Sequence, residues 1–244
     1  MLTIIVKIKS YLVYNETDRQ SISKKYMTEK KAFLFDLNGT MIDDMDFHIR
    51  AWHDILNNLG ANLSLEQVKK ECYGKNDELL ERIFPGKFSI DEMIKMSYEK
   101  EAAYQEAFRP HLKLINGLDA FLKKADDAKI PMAIGSAAIM FNINFVLDGL
   151  SLRHYFHSIV SAENVVISKP DPETYLKCAN ELGIAYENCI VFEDAPKGVE
   201  AALNAGMKAV VLTTMHTQEE FSDYNNIICF IEDYTDKQLD RLFF

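Results

Sequence analysis

An α/β fold with a doubly wound parallel sheet and an inserted all-helical cap is predicted by two patterns in this 244-residue sequence. From residue 117 onward, short apolar runs of strand length alternate with segments of helical periodicity, which is typical of βαβ units. Between residues 40 and 110, by contrast, helical periodicity continues without one strand signal. The first predicted strand is therefore separated from the rest of its sheet by helices.

The first strand is predicted at residues 33–35, where a continuous apolar run has the pattern of a strand buried on both faces. Asp36 follows it directly, and Asn38 and Gly39 then turn the chain. Ligands of open α/β sheets bind outside the carboxyl ends of the strands. We therefore expect Asp36 to face a functional site.

The helical insertion follows this turn and is about as long as a small domain. Its helices are predicted at residues 43–58, 64–72, 78–84 and 89–108. The resulting organisation is an N-terminal extension at 1–30, an α/β catalytic core at 31–43 and 112–244, and a helical cap at 44–111.

The second part of the core supplies the remaining strands and helices. Strands are predicted at 131–135, 158–161, 189–192, 208–213 and 227–231, and helices at 118–128, 140–149, 172–182, 196–205 and the C-terminus. Polar residues follow several of these strands: Ser136 follows the second, Lys169 lies in the loop after the third, and Glu193 and Asp194 end the fourth. Because parallel strands present their carboxyl ends at one edge of the sheet, we expect these residues to meet Asp36.

Composition limits the possible partners. A net charge of −10 provides no basic field for nucleic acid or an anionic membrane, so neither partner is predicted. No apolar segment reaches the length of a transmembrane helix, and the first 14 residues lack the features of a signal peptide. The four cysteines lack metal-site spacing, which favours reduced thiols. We predict a cytoplasmic monomer or weak dimer.

The expected cluster of carboxylates needs a cation. Mg²⁺ suits such a site because it takes oxygen ligands from one or two carboxylates and completes its shell with water and a phosphate oxygen. Lys169 and the hydroxyl groups of Thr40 and Ser136 would complement the oxygens of a bound phosphate. The residues alone therefore predict a Mg²⁺-dependent site for a small phosphorylated molecule.

These motifs carry a family resemblance. Residues 36–40, Ser136, Lys169 and the Glu193-Asp194 pair resemble, in this order, the four motifs of the haloacid dehalogenase superfamily of phosphatases and phosphomutases. Residues 43–52, 169–173 and 193–198 are most similar to its beta-phosphoglucomutase branch. The resemblance implies phosphoryl transfer to Asp36, which forms an aspartyl-phosphate that is later hydrolysed or passed on.

The resemblance also implies roles for the other motif residues. The proposed Mg²⁺ ligands are the Asp36 carboxylate, the Asn38 backbone carbonyl, Asp194, and Glu193 either directly or through water. The expected phosphate-binding residues are Gly39, Thr40, Ser136, Ala137 and Lys169, with Lys75 of the cap as a further substrate contact.

The sequence departs from the family pattern at Asn38, where the family has a carboxylate that acts as general acid and base. An amide cannot carry this proton, and such catalysis is typically worth about 10²–10⁴-fold. His48 could in part substitute.

The choice between phosphatase and mutase depends on two further departures. Apolar residues after Ser136, and Lys75 in place of a cap arginine, disfavour a mutase. We predict a phosphatase of small phosphorylated metabolites, most simply sugar phosphates, with two alternatives: beta-phosphoglucomutase and a non-catalytic phosphate- or phosphoprotein-binding module.

Overall fold

A parallel six-stranded sheet forms the centre of the computed structural model, which describes residues 30–244. The strands are β1 Ala32–Phe35, β2 Met132–Gly135, β3 Ser158–Val160, β4 Cys189–Glu193, β5 Lys208–Leu212 and β6 Ile227–Ile231. Their order across the sheet is β3-β2-β1-β4-β5-β6. The predicted fold class is confirmed. The predicted extension at 1–30 lies outside the described residues, apart from Lys30.

Eight α-helices accompany the sheet in the described part of the chain. They are α1 Met45–Asn58, α2 Leu65–Glu71, α3 Asn76–Ile83, α4 Ile90–Phe108, α5 Leu118–Asp127, α6 Met140–Gly149, α7 Glu173–Leu182 and α8 Pro196–Asn204. Short 3-10 helices occupy Arg109–His111, Arg153–Tyr155, Ala162–Asn164, Tyr186–Asn188, Gln218–Phe221 and Lys237–Phe243.

Strand β1 shows why the sheet is covered on both faces. Phe33 and Phe35 pack into one apolar cluster with residues of α5 and α6, whereas Ala32 and Leu34 pack into a second cluster with residues of α7 and α8. All four side chains are fully buried. Successive strand residues point to opposite faces, so an uninterrupted apolar run is what this central position requires.

Three sequence predictions need correction. The expected C-terminal helix is the 3-10 helix Lys237–Phe243, which holds Leu239 and Leu242 against the core. Pro172 precedes α7 instead of opening it, and the helix begins at Glu173. Helix α1 likewise begins at Met45, two residues after its predicted start.

The helices α1 to α4 form the helical cap, which has a small apolar core of its own. Ile49, Trp52 and Leu56 of α1 pack there against Val68 of α2 and Leu80 of α3. The domain limits given above stay a prediction. Within residues 30–244, no helix combines the length and apolar character that a membrane crossing requires. The four cysteines are unpaired.

Candidate active site

The carboxyl ends of three adjacent strands meet at one edge of the sheet. Strand β1 lies between β2 and β4. Asp36 directly follows β1, Ser136 directly follows β2, and Glu193 is the last residue of β4. The backbone continues the sheet here, since Asp36 N donates to Phe192 O at 3.0 Å. A cavity of about 360 Å³ lies above this edge and is lined by core and cap residues. The structure therefore brings together the residues that follow these strands.

Three buried carboxylates form the floor of this cavity. One oxygen from each of Asp36, Glu193 and Asp194 lies within 4.8 Å of the others. Lys169 Nζ donates to Asp36 Oδ1 at 2.5 Å and to Glu193 Oε1 at 2.7 Å. When all three carboxylates are ionised, three negative charges face the one positive charge of Lys169. The excess of two negative charges is carried by carboxylate oxygens, which are the ligands that a divalent cation such as Mg²⁺ prefers.

Burial and mutual repulsion act on the protonation of this cluster. Burial raises the pKa of Asp36 above its ordinary value; Lys169 opposes this effect and Glu193 adds to it. Burial also raises the pKa of Asp194, and the charges of Glu193 and Asp36 raise it further. A bound cation would remove this penalty because it stabilises the ionised carboxylates.

Glu193 is the most heavily hydrogen-bonded member of the cluster. Its Oε1 accepts from Lys169 and from the Tyr175 hydroxyl at 2.6 Å, and its Oε2 accepts from the backbone N–H groups of Asp194 at 3.1 Å and Ala195 at 3.2 Å. A carboxylate oxygen has about two acceptor sites. Protein donors therefore use both oxygens, which favours an indirect contact between Glu193 and a metal ion.

Gly39 and Thr40 lie behind Asp194 instead of lining the cavity. Gly39 has φ 74°, and a Cβ atom there would lie 2.1 Å from Asp194 Oδ2. Thr40 is fully buried, and its hydroxyl donates to Asp194 Oδ1 at 3.3 Å. These contacts explain why a glycine and a threonine occupy positions 39 and 40: the glycine leaves room for the Asp194 carboxylate, and the threonine donates a hydrogen bond to it. The phosphate-binding roles expected for both residues stay predictions.

Ser136, Ala137 and Lys75 all line the cavity. Ser136 Oγ accepts from Ala138 N at 3.1 Å, which leaves its hydroxyl hydrogen free to donate to a ligand. Lys75 Nζ donates to the backbone oxygen of Val166 at 3.1 Å. Its expected contact with substrate stays a prediction.

Asn38 and His48 meet at the cap side of the cavity, around the buried carboxylate of Asp44. Asn38 Nδ2 donates to Asp44 Oδ2 at 2.6 Å, and His48 Nε2 lies 3.1 Å from Asn38 Nδ2 and 3.3 Å from Asp44 Oδ2. Tyr104 also donates its hydroxyl hydrogen to Asp44 Oδ2. Lys100 Nζ contacts His48 Nδ1 at 2.6 Å. Lysine can only donate, so Nδ1 accepts and the imidazole proton lies on Nε2.

Sequence reasoning missed four residues around this group: Asp44, Lys100, Tyr104 and, on the core side, Tyr175. A signal existed for two of them. Lys100, Tyr104 and Phe108 lie one turn apart on the buried face of α4, and a lysine in such a stripe indicates a buried partner. Nothing local distinguishes Asp44 or Tyr175 from an ordinary helix-flanking or core residue.

The geometry agrees with comparisons to known proteins. Residues 33–212 match the family model of haloacid dehalogenase-like hydrolases. The chain is a haloacid dehalogenase-like hydrolase. This hydrolase is 30% identical to fructose-1-phosphate phosphatase YqaB of Escherichia coli over 185 residues, which cover 75% of this chain and 97% of that protein. It is 29% identical to beta-phosphoglucomutase of Bacillus subtilis over 188 residues, 74% of this chain and 82% of that one.

Solved structures agree with this assignment. A family IA, variant 3 hydrolase from Entamoeba histolytica superposes on the present hydrolase with a TM-score of 0.76 and 26% identity, covering 87% of this chain and 99% of that one. The predicted resemblance to the superfamily is confirmed, and so is the resemblance to its beta-phosphoglucomutase-like members.

Proposed function

We propose that this hydrolase is a Mg²⁺-dependent phosphatase of small phosphorylated metabolites, most simply sugar phosphates, and that Asp36 is its nucleophile. The observation that carries the proposal is the position of Asp36. Its carboxylate lies at the end of the central strand, 2.5 Å from Lys169 Nζ and beside two further carboxylates that fit a divalent cation. The relative that acts on fructose 1-phosphate supports the substrate class.

The proposed reaction has two displacements at phosphorus. An Asp36 oxygen attacks the phosphoryl group, the ester oxygen leaves with its electron pair, and an aspartyl-phosphate forms. Water then attacks this intermediate and releases phosphate, which regenerates the carboxylate. Lys169 and the Ser136 hydroxyl hold the phosphoryl oxygens by charge and hydrogen bonding.

Mg²⁺ would be held by the Asp36 carboxylate, the Asn38 backbone carbonyl and Asp194, with Glu193 acting through water. When bound there, the ion would supply positive charge that offsets the charge of the carboxylates and of the phosphoryl group. Without it, the three carboxylates would repel an anionic substrate. Lys169 alone offsets one of their three charges.

The departing oxygen needs a proton, which the Asn38 amide cannot give. His48 lines the same cavity, and its Nε2, which carries a proton, lies 3.1 Å from Asn38 Nδ2. We propose that His48 takes over part of this role. Substrates whose leaving oxygen departs as a stable anion, such as acyl phosphates, are then expected to react faster than alkyl phosphates.

A phosphomutase is the second candidate, because beta-phosphoglucomutase is among the relatives. A mutase must also hold a second phosphate. The residues that follow Ser136 in the cavity wall, Ala137 and Ala138, offer no charged side chain for it. Lysines line other parts of the cavity, Lys75 among them, so a second phosphate lacks a charged partner only beside Ser136, and this position favours hydrolysis.

One experiment tests the proposal. Purified full-length protein is incubated with Mg²⁺ and a panel of sugar phosphates, acyl phosphates and pyrophosphate, and released phosphate is measured beside Asp36→Asn. We expect release by the wild type and none by the variant. Phosphate release from no substrate would refute the enzyme assignment and leave a binding module. Conversion of glucose 1-phosphate to glucose 6-phosphate without free phosphate would identify a mutase.

A further inference from the structure

A carboxylate of the cap contacts the core loop next to Lys169. Glu78, the third residue of α3, accepts from Ser168 N through Oε1 at 3.1 Å, and its Oε2 accepts from the Ser168 hydroxyl. The neighbouring Lys75 donates from Nζ to Val166 O at 3.1 Å. The cap therefore holds the stretch that directly precedes Lys169.

Among residues 30–244, the core also holds this loop on both sides of Ser168, but its contacts do not involve the N–H or hydroxyl group of Ser168. Glu173 accepts from Val166 N at 2.8 Å, Asn204 Nδ2 donates to Pro170 O at 3.0 Å, and Asp171 N donates to Ser168 O at 3.1 Å. Both donors of Ser168 thus point to the cap. Ser168, which directly precedes Lys169, is therefore held by the Glu78 carboxylate of the cap.

Burial and charge make this contact strong. Ser168 is only 4% exposed, so its donors have little access to water. Burial raises the pKa of Glu78, but hydrogen bonds from Ser168 and Lys75 outweigh this effect, and its pKa lies below the ordinary value. The carboxylate is therefore ionised at neutral pH. Hydrogen bonds to an ionised acceptor are about twice as strong as those between neutral groups.

The shape of the cap turn also fits the contact. A Cβ atom on Gly74 would lie 2.6 Å from Glu78 Oε2 and 2.8 Å from Ser168 Oγ. Only a residue without a side chain lets the carboxylate and the hydroxyl meet at this point. The glycine, the glutamate and the serine thus form one packed contact between cap and core.

We propose that Glu78 is a positioning residue: its carboxylate holds Ser168 and thereby fixes Lys169 against Asp36 when the cap covers the site. This inference rests on the proposed role of Lys169 in binding the transferring phosphoryl group. In that role, Lys169 contacts the transferring group and not the remainder of the substrate. Loss of the Glu78 contact therefore lowers kcat by about 10-fold and changes KM by less than about 2-fold, since about 1.4 kcal/mol of barrier corresponds to a factor of 10.

Glu78→Gln is the informative variant. Glu78 also caps α3, because its Oε2 accepts from Lys75 N at 2.9 Å, and glutamine at this position retains a capping interaction. The substitution therefore weakens the contact with Ser168 more than it weakens the helix. Ser168→Ala removes the hydroxyl and keeps the backbone N–H, so its effect is expected to be smaller.

Glu92→Gln is the matched control. Glu92 holds the same third position in α4, accepts from Ser89 N at 2.8 Å, and is exposed. Its described hydrogen bonds go to Ser89 and not to the core. We expect wild-type kinetics from this variant.

Two measurements on the full chain test the inference. Hydrogen exchange followed by mass spectrometry reports on the peptide containing residues 166–172, and phosphate release from p-nitrophenyl phosphate with Mg²⁺ gives kcat and KM. We expect faster exchange and a lower kcat in Glu78→Gln, and neither change in Glu92→Gln. Unchanged exchange in this peptide, or faster exchange with wild-type kcat, would overturn the positioning role.

Failure of the proposed function has a different signature. If the wild type hydrolyses nothing, hydrogen exchange of the peptide containing residues 166–172 is measured in the presence of inorganic phosphate and Mg²⁺ in place of the kinetic measurement. We then still expect faster exchange in Glu78→Gln than in Glu92→Gln, because the contact with Ser168 does not depend on turnover. Equal exchange would overturn the inference on this readout as well.

Discussion

Replacing Asn38 with aspartate is expected to raise the rate of phosphate release. In the structure, Asn38 Nδ2 lies 2.6 Å from Asp44 Oδ2. Two ionised carboxylates at this distance would repel each other by about 6 kcal/mol at an effective dielectric constant of about 20. The pair avoids this cost by retaining one proton between its oxygens, as carboxylates that share a site do. Asn38→Asp therefore supplies a carboxylic acid where the wild type has an amide.

The expected gain is about 10²–10⁴-fold in kcat for alkyl phosphates, the range typical of general acid and base catalysis. Acyl phosphates should gain less, because their leaving group needs no proton. The assay compares phosphate release from a sugar phosphate and from acetyl phosphate by wild type, Asn38→Asp and Asn38→Ala. The alanine variant controls for loss of the amide. If Asn38→Asp is no faster than wild type with any substrate, residue 38 does not transfer the proton.

A double variant separates chemistry from stability. Asn38→Asp with Asp44→Asn moves the carboxylate across the same contact and keeps the formal charge. We expect it to unfold at a higher urea concentration than Asn38→Asp alone at pH 8, where repulsion is greatest. Equal midpoints would show that carboxylates at positions 38 and 44 do not destabilise the fold by repelling each other.

Four further outcomes are expected. Chelation of Mg²⁺ should lower Tm, since a ligand at 100 times its Kd stabilises the fold by about 2.7 kcal/mol; Asp194→Asn should lose this response in a thermal scan. Gly198→Ala would place a Cβ 1.8 Å from Glu193 Oε1, so it should also abolish the Mg²⁺-dependent rise in Tm. Tyr175→Phe removes a donor to buried Glu193 and should cost about 1–3 kcal/mol in urea unfolding; an unchanged midpoint would contradict this. The folded pKa of Glu78 is lowered, so its ionised carboxylate contributes to stability above pH 4.5, and this contribution is lost as the pH falls through the folded pKa. The difference in unfolding free energy between wild type and Glu78→Gln should therefore shrink under acid conditions. A difference that stays constant with pH would refute this assignment.

The sheet and the floor of the site were predictable because they depend on strand order. Asp36 and Ser136 directly follow strands and Glu193 ends one, and parallel strands align their carboxyl ends whatever the intervening segments contain. Gly39 and Thr40 were harder to interpret. Their motif predicts a turn beside a ligand, but only packing shows that the turn supports Asp194 and does not line the cavity.

The contacts between cap and core were not predictable in the same way. Tyr104 reaches Asp44 across 60 residues of sequence, and Ser168 reaches Glu78 across 90. Local periodicity places each residue on a helix or a loop but carries no information about the angle at which the cap meets the sheet. Helix boundaries shifted by one or two residues for a related reason. Capping residues such as Ser64 and Ser89 compete with the apolar pattern in setting where a helix begins.

Asp44 occupies the joint at which the chain leaves the sheet and enters α1. Its carboxylate is nevertheless bonded to Asn38, to the backbone of Gly39 and to Tyr104 of the cap. The start of the cap and the Asn38 side of the site therefore share one carboxylate. Any change in the angle between cap and sheet would move the Asp44 carboxylate and the Asn38 amide together.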